Sequence, residues 1–197
     1  MSIDLYVIPT IQKTFYWKDI CVRLETLLGS SASKFLGEQP RLQHMPTHVV
    51  IQEDEALAPS NYYAFDLAFP TTLMLGIPKN KDTHFKYGLP DEFSDEQEYL
   101  AGYLEDYGRN LAPETISRLA ESWHVIGYYY GLNTTMGRNR EEELLFVCLA
   151  TALADACEGF VISEGEYRLV EKVAGLGVGI YTAEEFRQAI PHFAQRL

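Results

Sequence analysis

Asn139 to Ser163 reads NREEELLFVCLATALADACEGFVIS, and two different periodicities meet inside it. Asn139 suits a helix N-cap, because its side-chain oxygen accepts a free amide of the first turn. Glu141, Glu142 and Glu143 follow where carboxylates oppose the positive end of the helix dipole. From Leu144 to Cys157 the residues are apolar nearly all round, which predicts a helix over 139–157 buried on most of its sides. Gly159-Phe160-Val161-Ile162-Ser163 then has the composition of a strand. A central helix returning into a strand is the frame around which the rest is read.

Upstream, Ile3, Leu5 and Val7 alternate with Asp4 and Tyr6 until Pro9, the period of a half-buried strand. Ile20, Leu24, Leu27 and Leu28 recur at helical spacing over Trp17 to Leu28, and Gly29 supplies a stop. Ser30 to Pro46 reads as a loop, with a short helical turn at Ser33 to Leu36. Thr47 to Gln52 is β-branched and is expected to be a second strand. Tyr62 to Phe69 and Thr71 to Ile77, on either side of Pro70, predict two more in an antiparallel meander, since the connections are too short for crossover helices. Lys79 to Pro90 is a polar loop.

Ser94 with Gln97 forms a capping-box pattern before Leu100, Tyr103, Leu104, Tyr107 and Leu111, one apolar helical face. Pro113 opens another helix with Ile116, Leu119, Ala120 and Trp123 inward. His124 to Leu132 has the aromatic content of a strand. Beyond Ser163, Glu166 to Val173 is expected to form a short helix and the glycines at 175, 177 and 179 a turn. Thr182 with Glu185 caps a last helix that buries Phe186, Ala189 and Ile190, and Pro191 is expected to kink or end it. No repeat or linker divides the 197 residues, which predicts a single domain. The class is α+β: a mostly antiparallel sheet, strands early, helices packed on one face.

Composition narrows the chemistry. The formal charge is −12, a balance that disfavours nucleic acid and anionic lipid as partners and favours a basic protein. The N-terminus has no basic start or long apolar run to read as a signal peptide, and no stretch approaches a bilayer span. Cys21, Cys148 and Cys157 form no CxxC pair and sit in apolar helical segments, as thiols of a reducing cytoplasm do.

No catalytic set stands out. His44 and His48 are separated by Pro46, so they do not share a helical face and the HExxH logic of zinc hydrolases fails. There is no GxSxG elbow. Gly175-Leu176-Gly177-Val178-Gly179 lacks the lysine of a phosphate loop, and Arg138 and Arg140 beside three glutamates favour local ion pairing. The expectation is therefore no metal, no cofactor and no catalytic residue, with an enzyme assembled from distant positions as the alternative.

The densest charge lies between Asp91 and Glu114, where Asp91, Glu92, Asp95, Glu96, Glu98, Glu105, Asp106 and Glu114 face Arg109 alone. A solvated helix would show many of these carboxylates outward in any case. Tyr99 and Tyr103 interleave them, and rings give contact energy while carboxylates steer a basic partner. Asp91, Glu92, Asp95, Glu98, Tyr99, Tyr103, Glu105 and Asp106 are the candidate partner-binding residues.

From Trp123 to Ser163 the order is an aromatic strand, a turn with Gly137-Arg138-Asn139-Arg140, a long helix ending Ala150-Thr151-Ala152-Leu153-Ala154-Asp155-Ala156, and Gly159-Phe160-Val161-Ile162. This resembles the C-terminal half of several acidic bacterial immunity proteins that neutralise toxins of delivery systems. The resemblance implies a cytoplasmic, non-enzymatic protein charged opposite to its toxin. It transfers no contact residues by position. A small hydrolase or transferase, and a regulatory or structural subunit, are the alternatives, and the oligomeric state is left open.

Overall fold

A computed structural model describes residues 3–29, 41–45, 47–57, 62–66, 73–77, 111–126, 129–134, 140–163 and 179–194. Its strands are β1 (Ile3–Ile8), β2 (Arg41–Met45), β3 (Val49–Val50), β4 (Tyr62–Asp66), β5 (Leu73–Ile77), β6 (Tyr129–Thr134), β7 (Phe160–Ser163) and β8 (Gly179–Thr182). Its helices are α1 (Trp17–Leu28), α2 (Pro113–Ile126), α3 (Arg140–Ala156) and α4 (Ala183–Ala194). The fold is α+β. The strands form one sheet in the order β3-β2-β4-β5-β6-β1-β7-β8, and every described pairing is antiparallel.

β1 runs through the middle, with Leu5 opposite Leu132 on β6 and Ser163 on β7. Alternation turns Leu5, Val7, Tyr130, Leu132 and Val161 to one face, where they meet Trp17, Ile20 and Leu24 of α1, nearly all of α3, and Phe186 and Ile190 of α4. Ile8, Tyr129, Phe160, Ile162 and Ile180 point to the other face and pack with Leu119 of α2. Three helices thus share one face, and α2 sits on the opposite one, an addition to the one-sided arrangement expected from sequence.

α3 is the centre of the larger cluster. Every residue from Leu144 to Ala154 is buried, with Leu149 at 0% exposure, and each such leucine withdrawn from water contributes roughly 1.5–3 kcal/mol. Its one buried hydroxyl in that span, on Thr151, donates to the Val147 carbonyl at 2.8 Å and so costs little. The helix ends in a left-handed residue, Glu158 at φ 49, while the Gly159 amide returns to the Ala154 carbonyl at 2.7 Å. This is a Schellman-type stop.

At α4 the capping box read from sequence is present. The Glu185 carboxylate accepts the Thr182 amide at 2.7 Å, and the Glu185 amide donates to the Thr182 hydroxyl at 3.3 Å. Phe186, Ala189 and Ile190 are buried as expected. Pro191 does not end the helix, which runs on to Ala194; the position is exposed and lies in the last turn, where few hydrogen bonds remain to be lost.

Other expectations shift. β2 lies in a stretch read as loop, because RLQHM lacks a strand's pattern and becomes one only between β3 and β4. The expected strand at 47–52 shrinks to Val49–Val50. α2 runs to Ile126, into the expected strand, and Ala120 is exposed. Gly179 opens β8 where a turn was expected. The turn at 33–36, the helix from Ser94 and the helix at 166–173 lie outside the described residues. No described helix is long and apolar enough to cross a membrane.

Candidate functional site

Asp91, Glu92, Asp95, Glu98, Tyr99, Tyr103, Glu105 and Asp106 all lie outside the described residues. Of the acidic run only Glu114 is described, exposed in the first turn of α2, where a carboxylate favours the helix start. What the described residues bring together is a platform at the opposite end of the chain's order, built by α1 and residues 51–57.

At the start of α1 the Asp19 carboxylate accepts the Tyr16 amide at 3.4 Å, and two first-turn amides are filled from that segment. Trp17 N–H donates to the Glu55 carbonyl at 3.1 Å, Lys18 N–H to the Glu53 carbonyl at 3.0 Å, and Leu57 N–H to the Phe15 carbonyl at 2.8 Å. Tyr16 and Ala56 form an isolated antiparallel bridge. Ile51 and Leu57 anchor the segment in the main core. Two stretches far apart in sequence are thereby fastened as one surface.

The large apolar side chains left exposed among the described residues are Tyr16 at 40%, just before α1, Val22 of α1 at 61%, Val49 and Val50 of β3 at 58% and 37%, and Val125 of α2. Glu25, Glu53 and Asp54 are exposed as well, and no described ion pair engages any of the three. Glu25 and Glu53 lie close to Cys21; burial first, then those two carboxylates, push its thiol up to about 12. Lys18 stands with Nζ 5.6 Å from the Tyr16 ring centroid rather than in an ion pair. Other charges are consumed internally. Arg187 joins Asp155 of α3 to Glu184 of its own helix, and the Asp155 carboxylate raises its guanidinium above the ordinary value. Arg118 donates to the Thr10 hydroxyl at 2.9 Å and faces Glu158 at 3.6 Å.

One titratable group is held by a convergence that sequence spacing could not reveal. His44 on β2 contacts the Glu55 carboxylate through Nε2, and its ring lies 5.1 Å from that of Tyr63 on β4. The other Glu55 oxygen accepts the Gln52 amide at 3.3 Å. Such a pair can hold and move a proton. His48 goes elsewhere: it closes the hairpin at φ 57 with its amide on the His44 carbonyl at 2.7 Å, and its ring reaches Gln43 at 3.3 Å. The two histidines thus do not converge, in line with the reading that they share no helical face. Among the described residues no group of three histidine, cysteine or carboxylate side chains is placed to hold a metal.

The thiols offer little nucleophile. Burial pushes Cys148 and Cys157, like Cys21, up to about 12, so the reactive thiolate is scarce near neutral pH. The sequence reading passed over the α1 platform because Val22, Val49 and Val50 look like ordinary members of a helix and a strand. The available signal was Gln52-Glu53-Asp54-Glu55 directly after Val49-Val50-Ile51, an acidic turn beside apolar residues. Comparison of the chain with protein-family models, with curated proteins and with solved structures finds no match.

Proposed function

We propose that this protein is a non-catalytic cytoplasmic binding protein that occludes a basic protein partner, in the manner of an immunity protein neutralising a basic toxin. The carrying observation is the charge balance, −12 with an isoelectric point near 4.8, in a chain without a recognisable catalytic motif. The suppressed thiols and the exposed Glu25, Glu53 and Asp54, which no described ion pair engages, support the same reading. In this proposal Asp91, Glu92, Asp95, Glu98, Glu105 and Asp106 steer the partner, and Tyr99 and Tyr103 supply contact area.

The test is affinity isolation of the partner from the source lysate, followed by surface-binding kinetics at two ionic strengths. Reversing Glu98, Glu105 and Asp106 to lysine should lower the association rate and flatten its salt dependence. An unchanged association rate, in a variant shown to be folded, refutes the steering role.

The His44–Glu55 pair favours a second reading, a small hydrolase or transferase with a site assembled from β2, β4 and the 51–57 segment. In that case His44→Gln would abolish a measurable turnover while leaving the melting temperature near the parent's.

A further inference from the structure

We propose that residues 52–56 form a latched strap across the start of α1, closed by the His44–Glu55 contact, and that the strap and the first turn of the helix open together as one local unit. The inference is a conformational device and depends on neither functional reading above.

The strap begins and ends in the core. Ile51 and Leu57 belong to the main buried cluster, and their amides donate to the Leu42 and Phe15 carbonyls, both at 2.8 Å. Between these anchors no side chain is buried: Gln52, Glu53 and Asp54 are exposed, and Glu55 and Ala56 are half-buried. Lifting this stretch from α1 uncovers little of its own apolar surface, so its opening belongs to the low end of the stability range. Polar contacts hold it closed.

Those contacts are connected. The Glu53 and Glu55 carbonyls accept the Lys18 and Trp17 amides at 3.0 and 3.1 Å, so two free amides of the helix start depend on the closed strap. The Glu55 amide donates to the Gln52 carbonyl at 3.0 Å, and the Gln52 amide donates to one Glu55 carboxylate oxygen at 3.3 Å. The other oxygen meets His44 Nε2 on β2, whose ring lies 5.1 Å from that of Tyr63 on β4. His44 thereby ties the middle of the strap to the sheet, and a change at β2 passes through Glu55 to the start of α1.

Cys21 of α1 supplies a reporter. Burial and the Glu25 and Glu53 carboxylates together raise its thiol. Opening carries Glu53 away, so the thiol loses its proton more readily and alkylates faster.

The experiment is amide hydrogen exchange on the full chain, with iodoacetamide labelling of Cys21, for the parent, His44→Phe, Glu55→Ala and the double variant. Phenylalanine keeps a ring against Tyr63 while removing the polar contact. Either single change should lower protection of the Trp17, Lys18 and Glu55 amides together by about five-fold, the scale of a partly exposed ion pair, and should speed Cys21 alkylation. The double variant should go no further than Glu55→Ala alone. The amides of Ile51, Leu57 and α3 should keep the parent's protection. Unchanged protection of the three amides in both single variants, or additive losses in the double, overturns the latch. Equal losses throughout α3 overturn the local unit, because the opening is then global. Three amides that respond by different factors overturn their opening as one.

Discussion

A Cβ placed on Gly159 would lie 2.4 Å from the backbone carbonyl oxygen of Ile8 and 2.7 Å from the sulfur of Cys157. Gly159 follows α3 directly and feeds β7, which pairs with β1 from Phe160 opposite Ile8 onward. Helix exit and central strand therefore meet at a spot with room for no side chain. Gly159→Ala must push backbone against backbone, and it should cost about 3 kcal/mol in urea unfolding, at the upper end of overpacking effects. A loss below about 1 kcal/mol would mean that the two segments are less tightly apposed.

Glu158 holds φ 49, a left-handed conformation that costs a residue with a Cβ roughly 1–2 kcal/mol. Its backbone carbonyl accepts the Thr10 hydroxyl at 2.7 Å whatever the side chain. Glu158→Gly and Glu158→Ala both lose the exposed contact with Arg118, so their difference isolates the backbone. Glycine should be the more stable by about 1 kcal/mol, read from paired denaturant melts. Alanine equal to or better than glycine would refute the left-handed assignment.

Ser163 is fully buried on β7, and its hydroxyl finds no hydrogen-bond partner among the described residues. Replacing such a group with a methyl removes a desolvation penalty at almost constant volume. Ser163→Ala should accordingly raise stability by about 1 kcal/mol. A loss of that size instead would reveal a partner for the hydroxyl.

The three thiols are raised to about 12 in the folded chain, whereas an unfolded cysteine titrates near 8.5. Above roughly pH 9 the unfolded state releases protons that the folded state retains, so unfolding free energy falls as pH rises toward 12. The expected outcome is a decline in melting temperature over that window, and Cys21→Ala should make it shallower. An identical alkaline slope in the variant would remove Cys21 from the account.

Sequence reading failed where an element depends on its neighbours. RLQHM becomes β2 because β3 and β4 pair with it on both sides, and Gly179 opens β8 because β7 lies alongside. The His44–Glu55 contact joins a strand to a loop across a hairpin, and no spacing rule anticipates it. The candidate residues from Asp91 to Asp106 rest on charge and aromatic interleaving and lie outside the described residues, whereas the platform of α1 and residues 51–57 follows from geometry alone.

By itself, the sequence determined the elements that local physics specifies: β1 from its alternation, α1 with its stop at Gly29, the buried run of α3, and the Thr182–Glu185 box of α4. In each, periodicity and end chemistry act within a few residues. Only the tertiary structure decided which side of the sheet α2 covers, which strand stands at the edge, and which valines stay in water. Those outcomes follow from long-range strand pairing and from competition for a shared core, and neither leaves a periodic mark on any one segment.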